Sequence, residues 1–357
     1  MIRHVSAAAV AFGLIASAAP AAHAATVPPA RWHIVYQTDT ANVTSLYGIT
    51  APSSTDAWAV GYTSYGNGSS RPSFVHWNGK RWQSVAIPDT ASFRPLVAES
   101  TAPGDVWFFG EVQSSFEALH LVDGSWQLIA APGNISTGTI AVLGNDDVWM
   151  LGLGGGCNES TGRCTSQLLH WNGQVWASST IGTLIEGVAG WGSHVWAIGL
   201  TGRNVASKST GDIVVYQFAD DGWHKFASPQ PATEVPPMLA AAPSGQFWML
   251  APPLPGKPWV VNRWTGKRWT QLIVPSRLDG AVQMGPPMTY DGRSGIWLGP
   301  FLHWTGASWV DALEANPFPS LSGFGFQAIA PVPGSGSLWA AGVDSLGQLI
   351  AVYGRQP

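Results

Sequence analysis

The sequence predicts an all-β fold, a seven-bladed β-propeller made of four-stranded antiparallel blades. Three observations predict it: a Trp-centred strand that recurs seven times, a second Trp-containing hairpin that alternates with it, and an N-terminal segment that matches the outer strand of a blade. Composition agrees, because the 357 residues include 42 Gly, 27 Pro and 20 Trp but only 11% charged residues. Many turn formers and few charges are typical of short strands joined by tight turns.

The first repeat is a short apolar strand centred on Trp, and most copies close on Gly. The first copy reads DAWAVG at residues 56–61, and the second reads DVWFFG at residues 105–110. Units of about 40–50 residues that hold four strands each are typical of propeller blades. We name the strands of a blade a to d from the centre outward, and this repeat is strand b. The seven strand-b Trp residues are Trp58, Trp107, Trp149, Trp196, Trp248, Trp297 and Trp339.

The second repeat is a hairpin that supplies strands c and d. It reads VHWNGKRW at residues 75–82 and LHWNGQVW at residues 169–176. Asn-Gly between two apolar runs favours a two-residue type I′ turn, in which both turn residues have positive φ. With that turn Val75 lies opposite Trp82, so we expect Trp77 and Trp82 to point to opposite faces of the blade.

The two ends of the chain complement each other. The seventh unit ends after Tyr353 without a strand d, while RWHIV at residues 31–35 matches RWQSV at residues 81–85. We therefore expect the N-terminal strand to complete the last blade, which removes an open sheet edge.

Residues 1–24 have the features of a signal peptide. Arg3 gives a positive start, an apolar run follows from Val5 to Ala19, and Ala22 to Ala24 match the A-x-A cleavage pattern. The apolar run is too short to span a membrane. We expect a secreted, extracellular protein that begins at Ala25, with residues 25–357 forming the propeller.

The two cysteines, Cys157 and Cys164, lie close together in the third unit. In an oxidising compartment such a pair predicts a local disulfide. No further Cys or His lies between them that would complete a metal site.

The charge pattern narrows the class of partner. The net charge is −4, and charges of both signs are scattered without a basic stripe. This pattern argues against nucleic acid and against polybasic membrane contact. No G-x-S-x-G or H-E-x-x-H motif is present. We assign no catalytic residue, cofactor or metal, and we expect a monomer.

Recurrent His and Asp residues invite a metal interpretation, but their placement argues against it. Equivalent positions on different blades lie around a ring and do not converge on one ion. We expect the His residues to brace each blade through hydrogen bonds and the Asp residues to cap turns. The residues are His76, His120, His170 and His303 in strand c, and Asp56, Asp105 and Asp147 before strand b.

The paired motifs resemble the repeats of secreted β-propeller proteins of high-GC bacteria, and the likeness covers nearly the whole chain after residue 24. More distantly, the c–d hairpin is similar to the Asp-box repeat of sialidase-like propellers, S-x-D-x-G-x-T-W. The nearest copies, Asp123 to Trp126 and Asp221 to Trp223, depart from that pattern. The resemblance implies the fold and leaves the function open, because propellers host many activities.

The candidate ligand site is the mouth of the central channel, which the strands a line. Variable loops between strands b and c open on the same face, and variable loops on a rigid scaffold often carry function. Non-repeated polar residues near the entrance ends of strands a are the expected ligand-binding residues: Tyr47, Arg94, Glu186, Glu234, Gln283 and Gln327. Trp191 and Trp259 lie outside the repeats, where they could stack on a sugar ring or pack in the core or rim.

Two functions remain open. The first is a non-catalytic extracellular binding or interaction module, for a glycan, another cell-wall or matrix component, or a protein. The alternative is a glycoside hydrolase or lyase acting at the channel mouth, with Glu186 and Glu234 as the two carboxylates that most glycosidases need.

Overall fold

The structure, a computed structural model, describes residues 31–38, 43–67, 69–87, 90–113, 115–132, 135–158, 163–201, 211–219, 222–226, 228–229, 232–233, 237–251, 256–278, 288–312, 325–344 and 346–354. They form seven antiparallel sheets, each with four strands in meander order. The predicted seven-bladed β-propeller is confirmed. In these residues no helix is both long and apolar enough to span a membrane.

Each blade contributes one inner strand and one Trp-centred second strand. The inner strands are β2 (Val43–Ser53), β6 (Phe93–Ala102), β10 (Ile135–Gly144), β14 (Leu184–Trp191), β19 (Met238–Ala242), β23 (Met288–Tyr290) and β27 (Gly325–Pro331). The second strands are β3 (Asp56–Ser64), β7 (Asp105–Val112), β11 (Asp147–Asn158), β15 (His194–Thr201), β20 (Gln246–Ala251), β24 (Ile296–Leu298) and β28 (Leu338–Val343).

Two further strands complete each blade toward the rim. The third strands are β4 (Ser70–Trp77), β8 (Ser115–Val122), β12 (Arg163–Trp171), β16 (Gly211–Ala219), β21 (Val260–Trp264), β25 (Leu302–Trp304) and β29 (Gln348–Tyr353). The outer strands are β5 (Trp82–Val85), β9 (Ser125–Ala130), β13 (Trp176–Ile181), β17 (Gly222–Phe226), β22 (Trp269–Ile273), β26 (Trp309–Asp311) and β1 (Trp32–Gln37). A short strand, β18 (Ala232–Thr233), also pairs with β16, and 3₁₀ turns cover Pro243–Gly245 and Ser276–Leu278.

The ring closes through the N-terminal strand. Inner strands of successive blades contact each other in chain order, and β27 contacts β2. In the seventh blade β1 pairs with β29, with Trp32 opposite Tyr353 and Ile34 opposite Ala351. This pairing confirms the closure expected from the sequence, because the outer strand of the last blade comes from the start of the chain.

The register of the c–d hairpin differs from the sequence expectation. Trp77 lies directly opposite Trp82, so the two rings share a face, with centroids 6.0 Å apart. The Asn78 side chain accepts hydrogen bonds from the backbone N–H groups of Lys80 and Arg81. Only Gly79 of this turn has a positive φ. The expectation of opposite faces is wrong because residues that pair across a hairpin share a face, and Val75, which a two-residue turn would place opposite Trp82, already lies on the same face as Trp77. The Asn side chain changes only the register, since it builds a four-residue connection in place of a two-residue turn.

Trp pairs of strands c and d pack on the strand-b Trp of the preceding blade. Trp82 meets Trp339 edge to face at 5.2 Å, and Trp126 meets Trp58 in the same way at 5.5 Å. Trp32 occupies the corresponding place and shares a buried cluster with Trp297. The N-terminal Trp therefore completes a set of aromatic contacts between blades.

Recurrent His residues form hydrogen bonds within their own blades, as the sequence predicted, and their partners are Asp residues that were expected only to cap turns. Nε2 of each His lies 2.9 to 3.1 Å from an Asp carboxylate, and each ring stacks on a strand-b Trp. In the sixth blade the carboxylate comes from Asp291, which also accepts hydrogen bonds from the backbone N–H groups of Arg293, Ser294 and Gly295. Burial alone would raise the pKa of Asp291, but the hydrogen bonds from His303 and from the backbone N–H groups of Gly295 and Arg293 hold it below its ordinary value.

The expected signal peptide and the expected disulfide fall wholly or partly outside the described residues. Residues 1–24, the expected signal peptide, lie outside them. The backbones of Cys157 and Cys164 are directly opposite each other in the β11–β12 ladder. Their side chains lie outside the described part, so the disulfide stays a prediction.

Candidate functional site

The inner strands enclose a central channel that contains two adjoining cavities. The larger has a volume of about 810 Å³ and extends along β14 from Glu186 to Trp191. The smaller, of about 350 Å³, lies against β2, β6 and β27. Glu99 and Ile140 line both cavities. Deep concave sites of this size are where propellers and other scaffolds hold small ligands or chain segments.

Inner strands of four blades carry a β-bulge, and the extra residue of each bulge lines the channel. In the first blade the register shifts between Leu46 and Gly48, which leaves Tyr47 unpaired in the ladder. The corresponding extra residues of blades two, four and seven are Leu96, Glu186 and Gln327. Bulges commonly re-aim a side chain next to a functional site. Three of the six expected ligand-binding residues therefore share one structural position.

The Gly at the end of strand b lies beside the bulge of the inner strand. A Cβ on Gly61 would lie 1.9 Å from the carbonyl oxygen of Ser45, and one on Gly110 would lie 2.2 Å from that of Arg94. No side chain fits there, because the bulged inner strand brings its backbone against strand b.

Tyr47 and Arg94 belong to one cluster at the b–c end of the channel. The Tyr47 ring stacks on Tyr62 at 5.0 Å, and its hydroxyl donates to that of Tyr62 at 3.3 Å. The Arg94 guanidinium lies 4.5 Å above the Tyr62 ring and 3.2 Å from the Glu111 carboxylate. Both members of that ion pair are 42% exposed, so they remain accessible from solvent.

The tyrosines of this cluster differ in acidity. Burial, together with the hydrogen bond to Tyr62, raises the pKa of Tyr47 to about 12. Tyr62 accepts that hydrogen bond and lies beside Arg94, which outweighs its own burial and lowers its pKa. Tyr47 is therefore a hydrogen-bond donor at this mouth, and Tyr62 is the platform on which Arg94 rests.

Glu99 is the one acidic residue at its level of the ring. It lies opposite Trp107 in the β6–β7 ladder. At the corresponding place, opposite the strand-b Trp, the other blades have only small residues: Thr50, Ala141, Ala189, Ala240, Thr289 and Ala330. Burial raises the pKa of Glu99 to about 7. Among the described residues it has no hydrogen-bond or ion-pair partner.

The a–b end of the channel is aromatic. Trp191 is 47% exposed and meets Tyr290 edge to face at 5.9 Å, and both line the larger cavity. Tyr290 stacks in turn on the buried Trp248. Trp259, the other Trp outside the repeats, packs against a buried cluster of the fifth and sixth blades, so the core alternative holds for it.

The four described members of the expected ligand-binding set lie along the channel, and Tyr47 and Gln327 line the smaller cavity together. Tyr47 and Arg94 lie together at the b–c end, Gln327 lines the smaller cavity, and Glu186 lines the larger one. Glu234 and Gln283 lie outside the described residues. Sequence reasoning missed Tyr62, Glu111, Glu99 and Tyr290, which complete these surroundings.

Comparisons with known proteins identify the fold. No protein-family model matches the sequence, and no curated protein matches it. A solved structure of YCF48 bound to D1 peptide is similar, with a TM-score of 0.57 at 15% identity over 91% of this chain and 97% of that chain. The β-propeller domain of the Trilobed protease from Pyrococcus furiosus gives a TM-score of 0.56 at 8% identity, over 89% and 94% of the two chains.

YCF48 from Cyanidioschyzon merolae gives a TM-score of 0.51 at 14% identity, over 91% of this chain and 99% of that chain. At such identities the likeness shows the propeller fold alone. The resemblance to secreted bacterial repeat proteins and to Asp-box propellers stays a prediction.

Proposed function

We propose that the protein is a non-catalytic binding propeller that holds an extended segment of a protein ligand in its central channel. The observation that carries the proposal is the pair of adjoining cavities, of about 810 and 350 Å³, lined by inner strands and bounded by Tyr47 at one end and Trp191 at the other. Their long walls, which combine aliphatic side chains with a similar share of polar surface, suit a peptide chain.

Backbone chemistry of the channel supports a peptide over a sugar. Each sheet begins on its inner strand, so backbone N–H and C=O groups on the inner side of that strand lie outside the ladder. An extended peptide can pair with such an edge. A sugar needs exposed aromatic faces, and the described aromatic residues of the channel wall are Tyr47, Trp191 and Tyr290. Tyr47 is already covered by Tyr62.

A solved relative in fold gives further support, because the structure of YCF48 was determined with the D1 peptide bound. The signal-peptide features of residues 1–24 support a ligand outside the cytoplasm. N-terminal sequencing of the exported protein is expected to begin at Ala25, and a retained Met1 would contradict export.

Selection of a displayed peptide library on the immobilised protein, beside a glycan array, tests the ligand class. We expect peptides to be enriched and to lose binding to Ala241→Trp, which places a large ring in the larger cavity. The matched control is Ala130→Trp on the exposed outer strand β9, which should bind as before. Peptides that bind Ala241→Trp as well as the native protein, or ligands found only on the glycan array, would contradict the proposal.

A glycoside hydrolase is the second candidate, and one observation favours it. Glu99 and Glu186 line the same cavity, and burial holds the pKa of Glu99 at about 7. A glycosidase pairs a protonated acid of raised pKa with an ionised carboxylate. Hydrolysis of model glycosides that is lost in both Glu99→Gln and Glu186→Gln would establish this candidate, and no turnover by the native protein would remove it.

A further inference from the structure

The larger cavity has a one-sided electrostatic character. Its described lining includes two carboxyl groups, those of Glu99 and Glu186, and the phenol of Tyr290. No Lys, Arg or His is among the described lining residues. An anionic ligand group would therefore meet the like charge of an ionised Glu99, whereas a cationic group would be attracted to it.

Position and surroundings set Glu99 apart from an ordinary structural carboxyl. The propeller repeat places Ala or Thr at this level of the other six blades, so the architecture does not require an acid here. An ionised carboxyl group that is removed from water without a paired charge lowers the stability of the folded protein. Glu99 is half-buried, and an acid of raised pKa that lines a cavity is a candidate functional group.

Groups around Glu99 on neighbouring elements do not supply the missing partner. Among the titratable groups on the strands that contact β6, only Tyr47 lines a cavity that Glu99 also lines. The described side chains of β10 include no titratable group. The titratable groups on the other elements that contact β6 are Tyr47 on β2, Asp56 and Tyr62 on β3, Arg71 and His76 on β4, and Asp105 and Glu111 on β7.

Several of these groups are already engaged. Asp105 accepts hydrogen bonds from Thr101, Trp107 and His120. Glu111 pairs with Arg94, and Asp56 pairs with His76. Among the described residues no cation therefore pairs with Glu99.

We propose that the channel ligand carries a cationic group, an ammonium or a guanidinium, that pairs with the carboxylate of Glu99, and that binding weakens when this carboxylate takes up a proton. Trp191 and Tyr290 at the a–b end add aromatic rings, whose faces attract a cation. The inference rests on the proposed function and names the chemical class of the ligand.

Ionisation gives the proposal a direction in pH. The pKa of Glu99, raised by burial to about 7, means that the group is protonated below neutrality and charged above it. A ligand of fixed positive charge should bind more tightly in the charged state, and a bound cation should in turn lower the pKa of Glu99.

The test uses benzyltrimethylammonium, whose charge does not change with pH, and benzyl alcohol as the uncharged control. Calorimetric titration of the protein is carried out at about pH 5.5 and about pH 8.5, on either side of the Glu99 pKa. We expect the cation to bind about tenfold more tightly at the higher pH, a factor appropriate to one hydrogen-bonded or paired charge. Benzyl alcohol should show no such change.

Glu99→Ala is the decisive variant, because it installs the residue that four other blades have at this level, and Glu99→Gln preserves the shape of the side chain. Both should bind the cation with the weaker, pH-independent affinity. Equal affinity at the two pH values in the native protein, no binding of the cation at either pH, or an unchanged pH response in both variants would overturn the inference. The proposed function is judged separately, since peptide selection and the Ala241→Trp variant do not depend on charge.

Discussion

Trp32 lies directly opposite Tyr353 in the last blade, with ring centroids 5.5 Å apart, although the two residues stand near opposite ends of the chain. The Trp32 ring also stacks on Phe326 at 5.6 Å and is 2% exposed. The seventh blade and its contact with the sixth therefore depend on the first strand.

Trp32→Ala should lower the free energy of unfolding by about 3–5 kcal/mol, because it removes a large buried aromatic side chain. Ile34→Ala on the same strand is the matched control, since Ile34 is 44% exposed and its loss should cost little. Chemical denaturation measures both. Equal stability of the two variants would argue against closure by this strand.

Gly110→Ala tests the bulge that positions the channel residues. The new Cβ would lie 2.2 Å from the Arg94 carbonyl oxygen, so the inner strand must shift. We expect a loss of about 1–3 kcal/mol in stability. Gly182→Ala is the control, because a Cβ there meets nothing within 4 Å and the change should be close to neutral. Thermal melting measures the stability of both variants. A neutral Gly110→Ala would show that the bulge is not required.

Cys157 and Cys164 should form a disulfide in the exported protein. Directly opposed residues of an antiparallel ladder have Cα separations within the range that a disulfide spans. Intact mass should rise by two hydrogens on reduction, and the Cys157→Ser/Cys164→Ser variant should show no rise and lose about 2–3 kcal/mol in stability. Free alkylation of both native thiols without a reductant would contradict the bond.

The contribution of Glu99 to the free energy of unfolding should fall between about pH 4.5 and about pH 7. Glu99 has its pKa raised from 4.5 to about 7, so the unfolded chain releases this proton at lower pH than the folded protein does. Ionisation in the fold is therefore unfavourable, and the penalty is complete above pH 7. Glu99→Gln should be more stable than the native protein at about pH 8, by on the order of 1–3 kcal/mol, and about equal at pH 4. Parallel stability curves over this pH range would contradict the assignment.

The blades and their closure follow from local signals that survive in the sequence. A Trp-centred strand and a Trp-flanked hairpin repeat because every blade must fill the same space between its neighbours, and Trp32 matches Trp82 for the same reason. The hairpin register was misjudged because Asn78 bonds two backbone amides through its side chain, which the Asn-Gly pattern alone does not distinguish from a two-residue turn.

The candidate site was only partly predictable. Tyr47 and Arg94 are polar residues near strand ends, and the sequence singled them out, but Tyr62 and Glu111 join them through strand pairing. Gly61 and Gly110 signalled the bulges, since a Gly inside a strand often marks one. Glu99 lies in mid-strand, and its significance appears only when the inner strands are aligned through their bulges against the strand-b Trp residues.

Photo-crosslinking tests most directly whether the channel is the ligand site. A peptide obtained by selection, carrying a benzophenone side chain, is irradiated on the protein, and the modified residues are located by mass spectrometry. The channel proposal predicts adducts on the inner strands, above all at Met238 and Met288, which line the larger cavity. Adducts confined to the exposed outer-strand residues Leu128 and Ile273 would contradict it.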